Sequence, residues 1–170
     1  RSAEYQYGRR GTPSSRSLEE ALCELEGGAR TVLTPSGLSA CTLTILAVCG
    51  AGDHILVTDS VYSPTRLFCQ RVAKRYGIET TYFDPMIGAG IAELFKPETK
   101  AVFLESPGSY TFEVQDVPAI AAAAHRRDIA VILDNTWATP LYFNAMAHGV
   151  DLSVQAATKY IGGHADIMMG

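Results

Sequence analysis

The chain of 170 residues has no apolar run near the roughly 20 residues that a membrane-spanning helix requires. Its opening, Arg1-Ser2-Ala3-Glu4-Tyr5, lacks the basic-then-apolar order of a secretory signal. It also lacks an initiating methionine, which reads as a piece of a longer or processed chain. Net charge is only −4, too mild to argue for nucleic acid or an anionic membrane surface. Cys23, Cys41, Cys49 and Cys69 form no C-x-x-C pair, which weighs against a zinc site. They are read as reduced, mostly buried thiols of a cytoplasmic protein. No histidine stands beside one of them in a pattern that would make a nucleophile. G-x-G-x-x-G and G-x-x-x-x-G-K-[ST] are both missing, which argues against a dinucleotide or a nucleoside triphosphate. His164 and Asp166 fall close together, while His125 and His148 occur singly. Two residues do not make a metal site, and none is expected.

A hydrophobic content of 47% and a charged content of 19% suit one packed domain with a sizeable core. Residues 1–16 are polar and basic, with Gly8, Gly11 and Pro13 against regular structure. They read as an arm outside the core, and residues 17–170 as the domain proper. Ser17-Leu18-Glu19-Glu20 has capping-box spacing and predicts a helix to Glu26. Thr31-Val32-Leu33 is a short strand candidate. Ser36-Gly37 opens a helix to about Val48. Strands are expected at His54–Val57, Ile78–Phe83, Lys100–Leu104, Ile129–Leu133 and Leu152–Val154. Helices are expected from Pro64 to Tyr76, from Val117 to Arg127 and from Leu141 to His148. The fully apolar Ile129–Leu133 is of the kind buried on both faces. Strands alternating with helices imply an α/β fold with a mostly parallel sheet and right-handed crossovers.

In such sheets ligands bind where strands end in loops. Ala130-Val131-Ile132-Leu133 ends in Asp134, and Val150 to Val154 runs into Thr158-Lys159-Tyr160 with glycines after it. An acid at one strand end and a lysine at a later one suggest pyridoxal phosphate (PLP): the lysine forms a Schiff base and the acid pairs with the pyridinium nitrogen. A solvated surface lysine is the plainer alternative. Ser36-Gly37-Leu38 follows a strand candidate and opens a helix, where backbone N–H groups take phosphate. The same residues also make an ordinary N-cap. Tyr62, just past a strand end, offers a ring for stacking on a planar cofactor or for ordinary packing.

Together these segments are similar to the PLP-dependent enzymes of cysteine and methionine metabolism. Tyr5-Gln6-Tyr7-Gly8-Arg9-Arg10-Gly11-Thr12-Pro13 resembles the family's opening motif. Leu25-Glu26-Gly27-Gly28, Gly52-Asp53-His54, Leu104-Glu105-Ser106-Pro107, Asp134-Asn135-Thr136 and Thr158-Lys159-Tyr160 follow in the family's order. The resemblance covers essentially the whole chain. It implies a fold type I, transferase-like large domain. It implies that Lys159 holds the cofactor, Asp134 contacts the pyridine nitrogen and Tyr62 stacks on the ring. Gly37 and Leu38 would give backbone N–H groups to the phosphate, and Thr158 its hydroxyl. Tyr7 and Arg9 would reach the phosphate of a neighbouring subunit, which implies a dimer, usually paired into a tetramer. Lys159, Tyr62 and Tyr7 would be the residues of the chemistry itself.

Within the family, Ser109 stands where γ-lyases and γ-synthases carry an asparagine, and Ala156 where they carry a phosphate-binding serine. Both point to the β-eliminating pattern: cystathionine cleaved to homocysteine, pyruvate and ammonia. The family's γ-lyase, γ-synthase and cysteine desulfhydrase activities remain the alternatives. The family's small domain, with the arginine that binds the substrate carboxylate, has no counterpart in this sequence. A fragment without turnover is therefore a further reading, and a Rossmann-type nucleotide domain a weaker one.

Overall fold

The computed structural model describes residues 7–170. Five strands form one sheet in the order β2-β1-β3-β4-β5: β1 is His54–Thr58, β2 Glu79–Phe83, β3 Thr99–Glu105, β4 Ala130–Asp134 and β5 Leu152–Val154. Every neighbouring pair is parallel. Helices α1 (Pro13–Glu26), α2 (Gly37–Val48), α3 (Ser63–Phe68), α4 (Val117–His125) and α5 (Thr139–Tyr142) flank it.

Alternate residues of a strand face opposite sides of a sheet. Leu56, Val102, Leu104, Val131 and Leu133 accordingly pack against Val117, Ile120 and Ala124 of α4. Ile55, Val57, Phe103 and Ile132 pack on the other side against Cys41 and Ile45 of α2. The central strands are covered on both faces, so they read as continuous apolar runs rather than alternating ones. Phe103 and Ile132 are fully buried, and each such side chain contributes about 1.5–3 kcal/mol of burial. No described helix is long and apolar enough to cross a membrane.

Four local expectations are corrected. Helix α1 starts at Pro13, inside the segment read as irregular, because Thr12 and Ser15 form a reciprocal capping box with proline at the first turn. Ser17 is not the cap: its hydroxyl donates to the Pro13 carbonyl at 3.0 Å. Thr31–Leu33 is not a strand. No neighbouring strand pairs with it, and Val32 is exposed. Leu141–His148 is not one helix: α5 stops at Tyr142, and a separate 3-10 turn covers Met146–His148. The break falls at Phe143, whose backbone is extended and whose carbonyl accepts from Asn135 Nδ2 at 2.9 Å. The helix expected from Pro64 begins at Ser63 and becomes π-helical over Cys69–Ala73.

Candidate active site

Chain order reverses between β1 and β3: the sheet grows towards β2 on one side and towards β4 and β5 on the other. Such a switch point leaves a crevice outside the carboxyl ends of the strands. A cleft of about 820 Å³ lies there, and Gly37, Leu38, Tyr62, Asp134, Thr158 and Lys159 all line it. Residues separated by more than a hundred positions are thus brought to one edge.

Asp134 ends β4 and is 9% exposed. Its Oδ1 accepts the Thr136 N–H at 3.1 Å and the Thr136 hydroxyl at 2.6 Å. Its Oδ2 receives only the Cys41 thiol, at 3.5 Å, a weak donor. Burial pushes the Asp134 carboxyl up from its ordinary range, and the Thr136 hydrogen bonds oppose that. A buried acid with a poorly satisfied oxygen at a cleft is suited to a cationic N–H donor such as a pyridinium.

The start of α2 supplies the anion end. Ser36 Oγ caps the Ser39 N–H at 3.1 Å, and the Ser36 carbonyl takes the Ala40 N–H at 3.0 Å. The Gly37 and Leu38 N–H groups belong to the first turn, which has no carbonyl a turn back to accept them. A Cβ on Gly37 would come within 2.5 Å of the Ala156 Cβ and 2.8 Å of its Cα. Glycine is therefore required there by the close approach of the segment after β5. Ala156 is in turn held by its N–H to Thr136 Oγ1 at 2.7 Å. These donors and the buried acid fit PLP, with the phosphate at α2 and the ring nitrogen at Asp134.

Lys159 lies in the turn after β5, with its N–H on the Ala156 carbonyl at 2.9 Å and its carbonyl accepting the Gly163 N–H at 2.9 Å. It is exposed at the cleft. The Thr158 hydroxyl donates to the Met169 carbonyl at 3.1 Å and accepts the Met169 N–H at 2.9 Å. It reaches a phosphate only by exchanging those partners. Tyr62 is 44% exposed at the head of α3. Phe112, Trp137 and Tyr160 form an aromatic row along the mouth, with ring centroids 5.9 and 6.0 Å apart. Tyr7 and Arg9 are not brought into this cleft. The Arg9 guanidinium sits 5.1 Å from the Tyr7 ring centroid, and Tyr7 is 59% exposed.

Sequence reasoning assigned no role to Glu105. It ends β3 directly beside Asp134 in the parallel register and lines the cleft. The signal was the one that singled out Asp134, an apolar strand ending in an acid. Cys41, beneath Asp134, gave no signal, because it lies in an apolar helix. The other histidine-bearing motif has a different office. His54 bonds Thr99 Oγ1 and Thr81 Oγ1, each at 2.8 Å, at the opposite end of the strands. Burial lowers its pKa, and it ties β1 to its two neighbours. The described residues contain no cluster of three metal-ligating side chains, and all four cysteines are free.

A parallel five-stranded sheet with helices on both faces and a cleft at the carboxyl ends of its strands is the large domain of a fold type I PLP-dependent enzyme. A family model described as Cys/Met metabolism PLP-dependent enzyme matches residues 1–170, and the chain belongs to that family. A putative cystathionine beta-lyase of Rhizobium johnstonii is 56% identical over 170 residues, all of this chain and 43% of that protein. Cystathionine beta-lyase of Escherichia coli is 51% identical over 166 residues, 96% of this chain and 42% of that one. The crystal structure of a cystathionine gamma-lyase from Lactobacillus plantarum with L-serine superposes with a TM-score of 0.95 at 33% identity, over 99% of this chain and 44% of that one. The chain thus spans less than half the length of these relatives.

Proposed function

We propose that this chain is the cofactor-binding part of a carbon–sulfur lyase that cleaves cystathionine by β-elimination, releasing homocysteine, pyruvate and ammonia. The observation that carries the reading is the convergence of Lys159, Asp134 and the free start of α2 on one cleft. The relatives named as cystathionine beta-lyases favour β-elimination, as do Ser109 in the cleft and Ala156 beside Gly37.

PLP, when bound, supplies the electron sink that makes the substrate Cα–H acidic. Asp134 would hold the proton on the ring nitrogen. Tyr62 would stack on the ring. The Gly37 and Leu38 N–H groups, with Thr158 after its exchange, would hold the phosphate. Lys159 would hold the cofactor in the resting enzyme, and its amine, when free, would take the proton from Cα while the homocysteine thiolate leaves from Cβ; water then supplies the oxygen of pyruvate as ammonia departs.

In the full-length protein, cystathionine is expected to give pyruvate in step with homocysteine. Release of 2-oxobutyrate with cysteine instead would show γ-elimination and overturn the assignment.

We further infer that residues 1–16 reach a neighbouring subunit and residues 17–170 hold the cofactor. The arginine for the substrate carboxylate would then come from outside this sequence. Tyr7 and Arg9 act on the partner's phosphate in a dimer that pairs into a tetramer; arginine's planar fork matches phosphate oxygens. Their position outside this chain's own cleft supports that placement. Mixing full-length Arg9→Ala and Lys159→Ala subunits provides the measurement. With sharing, each mixed dimer has one whole site, and activity returns after subunit exchange. If both residues serve their own subunit, no mixed site is whole and activity stays absent. We infer a cytoplasmic setting, a reading that the free thiols of Cys23, Cys41, Cys49 and Cys69 support.

A further inference from the structure

Glu105 is one of the two acids at the floor of the cleft and takes no part in the chemistry described above. It is 8% exposed. Its Oε2 accepts the backbone N–H of Tyr62 at 2.7 Å. Its Oε1 accepts the Ser109 hydroxyl. Tyr62 heads α3, so its N–H has no helical carbonyl to meet and needs an outside acceptor. The two loops that Glu105 touches also meet each other: the Ser109 N–H donates to the Ser60 carbonyl at 2.9 Å. A Cβ on Gly108 would lie 2.5 Å from Ser60 Oγ, so they are packed without spare room. One carboxyl therefore joins the segment after β1, which carries the Tyr62 ring, to the segment after β3, which carries Ser109.

We propose that Glu105 is a positioning residue for the cofactor: its carboxyl clamps the Tyr62 and Ser109 loops so that ring and hydroxyl face the cleft from fixed places. Burial, with Asp134 beside it, raises the Glu105 carboxyl to about 7, against the Ser109 and Tyr62 hydrogen bonds that lower it. Its role is hydrogen bonding, with each oxygen accepting from one loop. An amide fits the same place. The Oε1 of glutamine would accept the Tyr62 N–H, and its NH2 would donate to the Ser109 oxygen.

The proposal rests on the reading that this cleft holds PLP, and the test separates the two. Full-length apoprotein is titrated with PLP, and the visible circular dichroism of the bound cofactor is recorded. That signal reports how asymmetrically the ring is held, which a change in general stability does not alter. Glu105→Ala is expected to weaken PLP binding about tenfold, the scale of the lost hydrogen bonds, and to collapse the visible signal. Glu105→Gln is expected to remain within about threefold of wild type and to keep the signal. Wild-type affinity and signal in Glu105→Ala would overturn the clamp, and so would a Glu105→Gln variant as impaired as the alanine. Should Glu105→Ala not fold, Ser109→Ala removes one arm alone and is expected to weaken binding by about threefold with a reduced signal; no change in it would overturn the clamp. Wild-type protein that takes up no PLP would overturn the cofactor reading together with the clamp.

Discussion

Replacing Lys159 with alanine in the full-length protein is expected to abolish pyruvate release, by at least about a thousandfold, and to remove the yellow colour of the lysine-bound cofactor. In the proposed mechanism both effects follow from one side chain, whose amine anchors the resting cofactor and also serves as the base at Cα. The chain has four lysines, Lys74, Lys96, Lys100 and Lys159, and only Lys159 lines the cleft. Lys96 is paired with Glu79 at 2.7 Å, at the start of β2, where the strands begin and not where they end. Borohydride reduction of the PLP-loaded protein followed by peptide mapping identifies the anchored lysine directly. A label on any other lysine removes Lys159 from the role.

Asp134→Asn carries the second large effect. The amide keeps the size of the side chain, and its oxygen can still accept the Thr136 N–H and hydroxyl that now hold Oδ1. What changes is the oxygen facing Cys41 and the cleft, which becomes an NH2 with no negative charge. A pyridinium proton then loses its ionic acceptor, and the ring loses much of its capacity to hold the Cα electron pair. Because that charge develops in the transition state, turnover is expected to fall about 10²–10³-fold. Cofactor loading at saturating PLP should be largely retained, because Lys159 and the start of α2 hold the other end. Steady-state turnover of fully loaded variant protein decides the point: wild-type turnover removes Asp134 from the mechanism.

The central strands β1, β3 and β4 were legible because each carries a short, nearly unbroken apolar run, and β2 because most of its residues are β-branched or aromatic. Asp134 and Lys159 stood out as polar breaks at the ends of such runs. Convergence on one cleft could not be read from spacing, since it depends on the order of strands in space. Glu105 shows the same limit. Its acceptor role depends on Tyr62, 43 positions away in sequence, and on a loop that folds back to bring Ser109 beside it. The start of α1 was misplaced because two capping patterns overlap there. Thr12-Pro13-Ser14-Ser15 prevailed because proline suits the first turn and Ser15 returns the cap. Thr31–Leu33 has strand-like residues, yet among the described residues no strand pairs with it, and backbone pairing begins only at Thr34, with Gly170. The Leu141–His148 pattern failed because Asn135 captures the Phe143 carbonyl.

The placement of His54, bonded to Thr99 and to mid-strand Thr81, at the edge where β1 begins, and of Glu105, Asp134 and Lys159 at the edge where the strands end, gives a rule for sorting natural variants. The five residues of β1 set those edges about 13 Å apart at the rise of a parallel strand. Changes that far apart, with no shared partners, combine additively. A substitution among the histidine and threonines registers as altered melting temperature with catalytic constants preserved. One at Asp134 or Lys159 is expected to register as lost turnover with the melting temperature preserved. Loss of function in a variant of this chain can therefore be assigned to instability or to chemistry by asking which edge of the sheet it touches.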